Sequence, residues 1–281
     1  MVSREKRFSD DADDRMSGAV RYRALVNPRT GPPDPDRFGR FGRFDRFDRL
    51  DRLDALRAAA VVWMALFHFC FDLNYFGLVR QNFYTDPFWT VQRACIVTLF
   101  MFCAGFGQAI AFEQGQRWPR FWKRWVQVAA CALLVSLGSW LMFPRSFISF
   151  GVLHGLAVVL IVARLTAGWG RWLWLAGLVA VLLPQLVQHP WFDTRWTNWL
   201  GLVTRKPVTE DFAPVLPWLG VVWWGLAAGQ WVLVRRRTWG AGPLPAALAP
   251  LAMLGRWSLS FYMLHQPVLI GLLMLWTLAV R

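Results

Sequence analysis

From Ala55 to the C-terminus the sequence is a succession of apolar runs, most of them about as long as a bilayer is thick. They fall near Ala55–Phe76, Phe88–Phe112, Trp122–Phe143, Phe147–Ala163, Trp172–Val187, Ala213–Val234 and Ser258–Val280. A helix needs roughly 20 predominantly apolar residues to cross a hydrocarbon core. Backbone amides in lipid must be satisfied within the segment, so runs of this length are helices. The predicted fold class is therefore all-α: a polytopic transmembrane helix bundle of about seven spans. Composition agrees, because 17% of residues are charged and 56% hydrophobic. A soluble domain carries charge on about a quarter of its residues.

Charge is also unevenly placed. Eleven of the seventeen acidic residues and thirteen of the thirty-one basic ones precede Ala55. Residues 1–52 read as a basic, low-complexity cytoplasmic tail, and 53–281 as the membrane domain. Residues 1–36 are polar and rich in Asp, Arg and Pro, the composition of a disordered segment. From Arg37 to Asp54 runs a triplet repeat, RFG RFG RFD RFD RLD RLD, whose period of three matches neither helix nor strand. The first fifty residues hold no apolar core of a cleavable signal, so the first span is expected to act as the targeting signal.

The net charge of +14 invites a nucleic-acid reading, but its placement argues for cytoplasmic loops and anionic headgroups instead. Between alternate pairs of spans stand Arg117, Arg120, Lys123, Arg124, Arg164, Arg171, Arg235, Arg236, Arg237 and Arg256. The opposite loops hold Arg80, Arg145, Arg195, Arg205 and Lys206. Ten against five places the N-terminus inside and the C-terminus outside, as a multi-pass protein of the cell membrane. Trp118, Trp122, Trp191, Trp196 and Trp199 lie at predicted span ends, where aromatic belts sit. The longest outer segment, His189–Phe212, is rich in Trp and ends near Glu210 and Asp211.

An ionisable side chain near mid-bilayer costs roughly 2.5–3.5 kcal/mol on insertion scales, so each one asks for a reason. His68 and Asp72 fall in the first span, Arg93 in the second, His154 in the fourth and His265 in the seventh. Arg57 sits at the cytoplasmic mouth and Asp211 at the outer one. His68 and Asp72 share a helix face, where a carboxylate can hold an imidazole in one tautomer and stabilise its protonated form. His68 lies eleven residues past Arg57, about 16 Å along a helix and near the midplane. His265 reaches a similar depth from Arg256, so the two histidines can meet in one cavity. A membrane histidine also serves as an interhelical hydrogen-bond partner, and Arg93 reads as a partner for Asp72 or Asp86 or as a side chain snorkelling outward. Cys70, Cys95, Cys103 and Cys131 all lie in apolar runs without CxxC spacing and read as small buried hydrophobes. No metal-ligand cluster, P-loop or GxGxxG motif is present, so no metal and no bound cofactor is expected.

Several blocks in order resemble a known family. Leu53-Asp54-Ala55-Leu56-Arg57, followed by a run ending in Phe67-His68, resembles the first-helix signature of membrane-embedded acyltransferases. Ser149-Phe150-Gly151-Val152-Leu153-His154-Gly155 and Asp211-Phe212-Ala213-Pro214-Val215-Leu216-Pro217-Trp218-Leu219-Gly220 narrow the likeness, as does the block from Gly255-Arg256-Trp257-Ser258 through His265-Gln266-Pro267. These are similar to the bacterial relatives of heparan-α-glucosaminide N-acetyltransferase, from about Leu53 onward. Two departures stand out: Ala58 replaces the glycine after the arginine, and a modest outer loop stands where animal members have a large lumenal domain.

The resemblance implies transfer of an acetyl group from cytoplasmic acetyl-CoA, the acyl donor, to an outer acceptor such as an amino sugar or glycan. On that reading His68 is base or acyl carrier, Asp72 its orienter and His265 the second catalytic candidate. Arg57 and Arg256 hold donor phosphates, since guanidinium binds them bidentately. His154 and Asp211 contact the acceptor. The expected partners are the lipid bilayer, the donor and the acceptor, with no nucleic acid; nothing in the sequence sets an oligomeric state. Two other classes stay open: a transporter or flippase, which also buries ionisable residues at the midplane, and a non-catalytic scaffold in which the histidines only lock helices.

Overall fold

The computed structural model describes residues 50–235 and 244–280. The expectations for residues 1–49, and for Arg236 and Arg237, lie outside the described residues. Within them every regular element is helical. The helices are α1 (Asp51–Tyr75), α2 (Pro87–Glu113), α3 (Trp118–Met142), α4 (Val152–Thr166), α5 (Trp172–Leu186), α6 (Val215–Arg235), α7 (Ala249–Arg256) and α8 (Ser258–Val280). Six are long and apolar enough to cross a membrane: α1, α2, α3, α4 with its following turn, α6 and α8. The fold is a polytopic helical bundle.

The seventh predicted span is α5, only 15 residues long. At 1.5 Å per residue it measures about 22 Å, less than a roughly 30 Å core. It is therefore not a span-length helix, and the segment after it returns to the start of α4. There Glu210 N–H donates to the Ser146 carbonyl at 3.0 Å, Thr209 Oγ1 to the Phe147 carbonyl at 3.0 Å, and Val152 N–H to Asp211 Oδ2 at 2.7 Å. These tie residues 209–211 to the start of α4, whereas α5 begins beside its end.

The same bonds explain why α4 begins at Val152 rather than near Phe147, where the apolar run starts. Residues 146–151 are spent on the loop. One helix was not expected: α7 is short, and it packs its Gly255 against the first turn of α1. A Cβ on Gly255 would stand 1.8 Å from the Asp54 carbonyl oxygen, and Arg256 Nη2 donates to Asp51 Oδ1 at 2.8 Å. The first and last sequence blocks thus meet backbone to backbone.

Small residues hold the centre. Lipid tails are as apolar as Leu, so helices associate in a bilayer through close packing and polar contacts rather than hydrophobic burial. On α2, a Cβ at Gly105 would lie 2.0 Å from the Val222 carbonyl oxygen of α6. Across the same crossing, one at Gly225 would lie 2.2 Å from the Phe102 carbonyl oxygen. Gly225 and Gly229 form a GxxxG pair on α6. In contrast α3 and α8 leave long apolar faces exposed, including Leu133, Leu137, Leu141, Leu272 and Leu275, which suits contact with lipid tails.

Candidate active site

Two of the four histidines come together. The rings of His68 on α1 and His265 on α8 lie 5.2 Å apart between centroids. Apolar rings surround them: Phe67 meets His68 edge to face at 5.9 Å, and Phe261 stacks on His265 at 6.3 Å. The expectation that the two histidines share a depth is met in the fold.

Proton placement follows from the partners. His265 Nδ1 is 2.7 Å from the Tyr262 carbonyl oxygen. A carbonyl only accepts, so Nδ1 carries the hydrogen, and in the neutral ring Nε2 holds the lone pair. That Nε2 is buried without a hydrogen-bond partner. His68 Nδ1 is likewise buried and unpartnered.

Asp72 is 3% exposed, but it does not bond to His68. Its Oδ1 accepts from Gln266 Nε2 of α8 at 2.8 Å, and this is the side chain that orients it. The reason is geometric. Helical side chains lean toward the N-terminus, so His68 leans away and the one-carbon arm of Asp72 does not follow. Asp72 Oδ2 and Gln266 Oε1 remain unpartnered. Gln266 stood in a recognised block without a role; its signal was an amide beside a histidine within an apolar run.

A second feature lies at the end of the bundle that carries Arg57. A cavity of about 190 Å³ opens there, lined among others by Arg57, Gln108, Gln116, Arg124 and Trp125. Arg57 Nη1 pairs with Asp54 at 3.0 Å, while Gly107 on α2 leaves room for its Nη2, which a Cβ there would approach to 2.5 Å. Gln108 Oε1 is buried and unpartnered. Arg164 donates to the Gln116 carbonyl and lies over the Trp118 ring at 5.4 Å. Arg256, expected beside Arg57, does not line this cavity; its guanidinium is taken by Asp51.

The opposite end holds the other two expected residues. His154 Nδ1 accepts the Gly151 N–H at 3.2 Å, which leaves its Nε2–H for Ser136 Oγ at 3.1 Å. Ser136 in turn donates to the Ile148 carbonyl at 2.6 Å. Both ring nitrogens of His154 are therefore occupied by protein, and the ring braces α3 against α4. Asp211 caps α4 through Val152 N–H. Burial pushes its carboxyl up from the ordinary range, against the pull of that N–H, Arg93 and Lys206. Arg93 pairs with neither Asp72 nor Asp86; its charge acts on Asp211 and Lys206 instead. Beyond lies the Trp-rich loop, folded around Asp193, with Trp196 89% exposed.

The described residues thus form a helical membrane bundle with a buried histidine–carboxylate cluster and a cationic cavity at one end. Its sequence matches the family model for heparan-alpha-glucosaminide N-acetyltransferase, catalytic, over residues 49–267. That span takes in every block quoted above, and the chain belongs to this family of membrane acetyltransferase-type proteins. No curated protein matches the chain, and no solved structure does.

Proposed function

We propose that the protein transfers an acetyl group from acetyl-CoA, held at the basic end, to an amine acceptor that approaches from the Trp-rich end. One observation carries this reading: two imidazoles face each other beside a buried carboxylate, and three lone-pair acceptors there are unpartnered. Those acceptors are His265 Nε2, Asp72 Oδ2 and Gln266 Oε1. Buried acceptors without partners are costly. An amine, which brings several N–H donors, satisfies them.

The basic end faces the cytoplasm on this reading, as the excess of Arg and Lys in its loops requires. Arg57 and Arg124 hold donor phosphates, and Gln108 bonds a polar group of the pantetheine arm. The arm then rises along α1 by about 16 Å to His68. At the centre the acceptor nitrogen attacks the thioester carbonyl carbon. The N–C bond forms, the C–S bond breaks, and CoA leaves as thiolate. His265 Nε2 takes the proton lost by the nitrogen; His68 gives its own proton to the thiolate and takes the one held by His265, so both rings end neutral. Asp72 stabilises the imidazolium formed in between. Asp211, Glu210 and the exposed tryptophans form the mouth through which an amino sugar or glycan arrives.

The test uses membrane vesicles containing the full chain, acetyl-labelled acetyl-CoA and a panel of amino sugars. Wild type should produce an N-acetylated sugar, and His265→Ala should lower kcat by roughly 10²–10⁴-fold, the usual worth of a general base. Folding of the variant is checked by gel filtration in detergent. Movement of unmodified sugar across the vesicle, with no acetylation, would replace this reading with transport.

A further inference from the structure

We infer that Gln266 is a positioning residue of the reaction: its amide fixes α8 on α1 so that His265 faces His68, and holds Asp72 without cancelling its charge. This rests on the acyl-transfer reading above.

The first part follows from how α8 is held. Leu259, Phe261, Tyr262 and Met263 pack part-buried near its start, and Gln266 makes its interhelical side-chain hydrogen bond among the described residues. Of its 23 residues only Ile270 and Leu273 are buried. Apolar burial gives helices little preference for one another in lipid, so a polar bond between them decides register. Gln266 to Asp72 is that bond at the depth of the histidines, joining residues 194 apart in sequence. A slip of one residue moves a side chain about 1.5 Å along the axis and swings it about 100° around it. His265, next in sequence to Gln266, would then leave the face of His68.

The second part follows from comparing carboxylates. Asp54 and Asp51, at the basic end, are each paired with arginine, at 3.0 Å and 2.8 Å. Asp72 is the most deeply buried of the three, yet its partner is a neutral amide. An arginine there would neutralise it. With Gln266 the carboxylate is oriented through Oδ1 and stays available, charge and Oδ2, to the imidazolium that forms beside it.

The test compares Gln266→Leu with Gln266→Glu in vesicles containing the full chain. Gln266→Leu should lose roughly 100-fold in kcat, as a misplacement of about 1 Å does, with the KM for acetyl-CoA unchanged. Gln266→Glu should be pH-dependent. A protonated Glu donates to Asp72 as the amide did, so activity is recovered at acid pH and lost as the pair ionises. The other titratable groups on the elements packed here include His68, Cys70 and Tyr75 on α1, Tyr262 and His265 on α8, Arg93, Cys95 and Cys103 on α2, and Cys131 on α3. They are common to both variants, and the difference between the two pH profiles isolates position 266. Wild-type kcat in Gln266→Leu, or equal losses in both variants at every pH, overturns the inference.

A second measurement does not depend on chemistry. In a background without the four native cysteines, His68→Cys combined with His265→Cys should be joined by dibromobimane when Gln266 is present and not when it is Leu. Cross-linking that ignores position 266 refutes the register argument. Cross-linking that depends on Gln266, in a protein whose parent acetylates no amine, refutes the acyl-transfer reading and leaves the register in place.

Discussion

Two glycines on α2, Gly105 and Gly107, should answer the same substitution in opposite ways. At Gly107 an alanine methyl would stand 2.5 Å from Arg57 Nη2, the tip of a flexible side chain. Ordinary contact needs about 1 Å more, so the guanidinium must retreat within the cavity while the helices stay where they are. If Arg57 binds a donor phosphate, a charge-assisted hydrogen bond worth about 1.5–3 kcal/mol is lost or weakened. At 1.4 kcal/mol per tenfold, that is roughly a 10- to 100-fold rise in the Kd or KM for acetyl-CoA, with kcat at saturation and Tm little changed. At Gly105 the methyl would stand 2.0 Å from the backbone oxygen of Val222 and 3.0 Å from Leu226 N. Neither backbone group can yield alone, so α2 and α6 must part, at a cost of about 1–3 kcal/mol or more. Gly105→Ala should therefore lower Tm and the yield of folded protein, and leave the KM of what does fold unchanged. Isothermal titration with acetyl-CoA and thermal unfolding in detergent separate the two effects. A Gly107→Ala protein that binds acetyl-CoA as tightly as wild type would remove the donor phosphates from Arg57.

Other perturbations test the framework. Asp211→Ala should cost about 1–2 kcal/mol by uncapping Val152, whereas Asp211→Asn, which can still accept, should cost less; thermal unfolding reads both. Hydrogen bonds from Thr204 to Asp193 hold that carboxyl below the ordinary range, so its stabilisation of the Trp-rich loop is present above that range and fades as pH falls through the lowered value. Hydrogen exchange should show protection of the Thr204 and Arg205 amides decreasing only in that acid window. In a cysteine-free background, Arg205→Cys should be labelled by an impermeant maleimide on intact cells and Arg120→Cys only after permeabilisation; the reverse pattern overturns the assigned orientation.

The bundle and its chemistry were legible to different degrees. Each predicted apolar run corresponds to a helix, and the last span, Ser258–Val280, has the same limits in both. This works because the lipid requirement is local: a segment must satisfy its own backbone and present apolar side chains. Where boundaries moved, as at the start of α4, a loop far along the chain had claimed the intervening backbone. The helix α7 was missed because eight residues with a basic end leave no span-length signal.

Site residues divide along the same line. An ionisable group in an apolar run is conspicuous wherever it sits, so His68, Asp72, His154 and His265 were all visible in the sequence. What each one touches was not. His68 and His265 converge, and His154 is used up by Gly151 and Ser136. Arg256 turns to Asp51 and leaves Arg57 to a cavity shared with Arg124. The uncharged members, Gln108 and Gln266, carry no cost large enough to stand out, and the Gly105–Gly225 crossing declares itself only when two backbones approach.

The sequence by itself determined that the chain is a membrane bundle, where six of its spans lie and which residues are too polar to lie there without cause. Those properties come from transfer energies that each segment meets alone. Only the tertiary structure decided that Gln266, rather than His68, holds Asp72, and that His265 keeps a free Nε2 beside His68. Pairings of that kind depend on the axial register and rotation of helices nearly two hundred residues apart, which close packing and a few interhelical bonds set after every span is already formed.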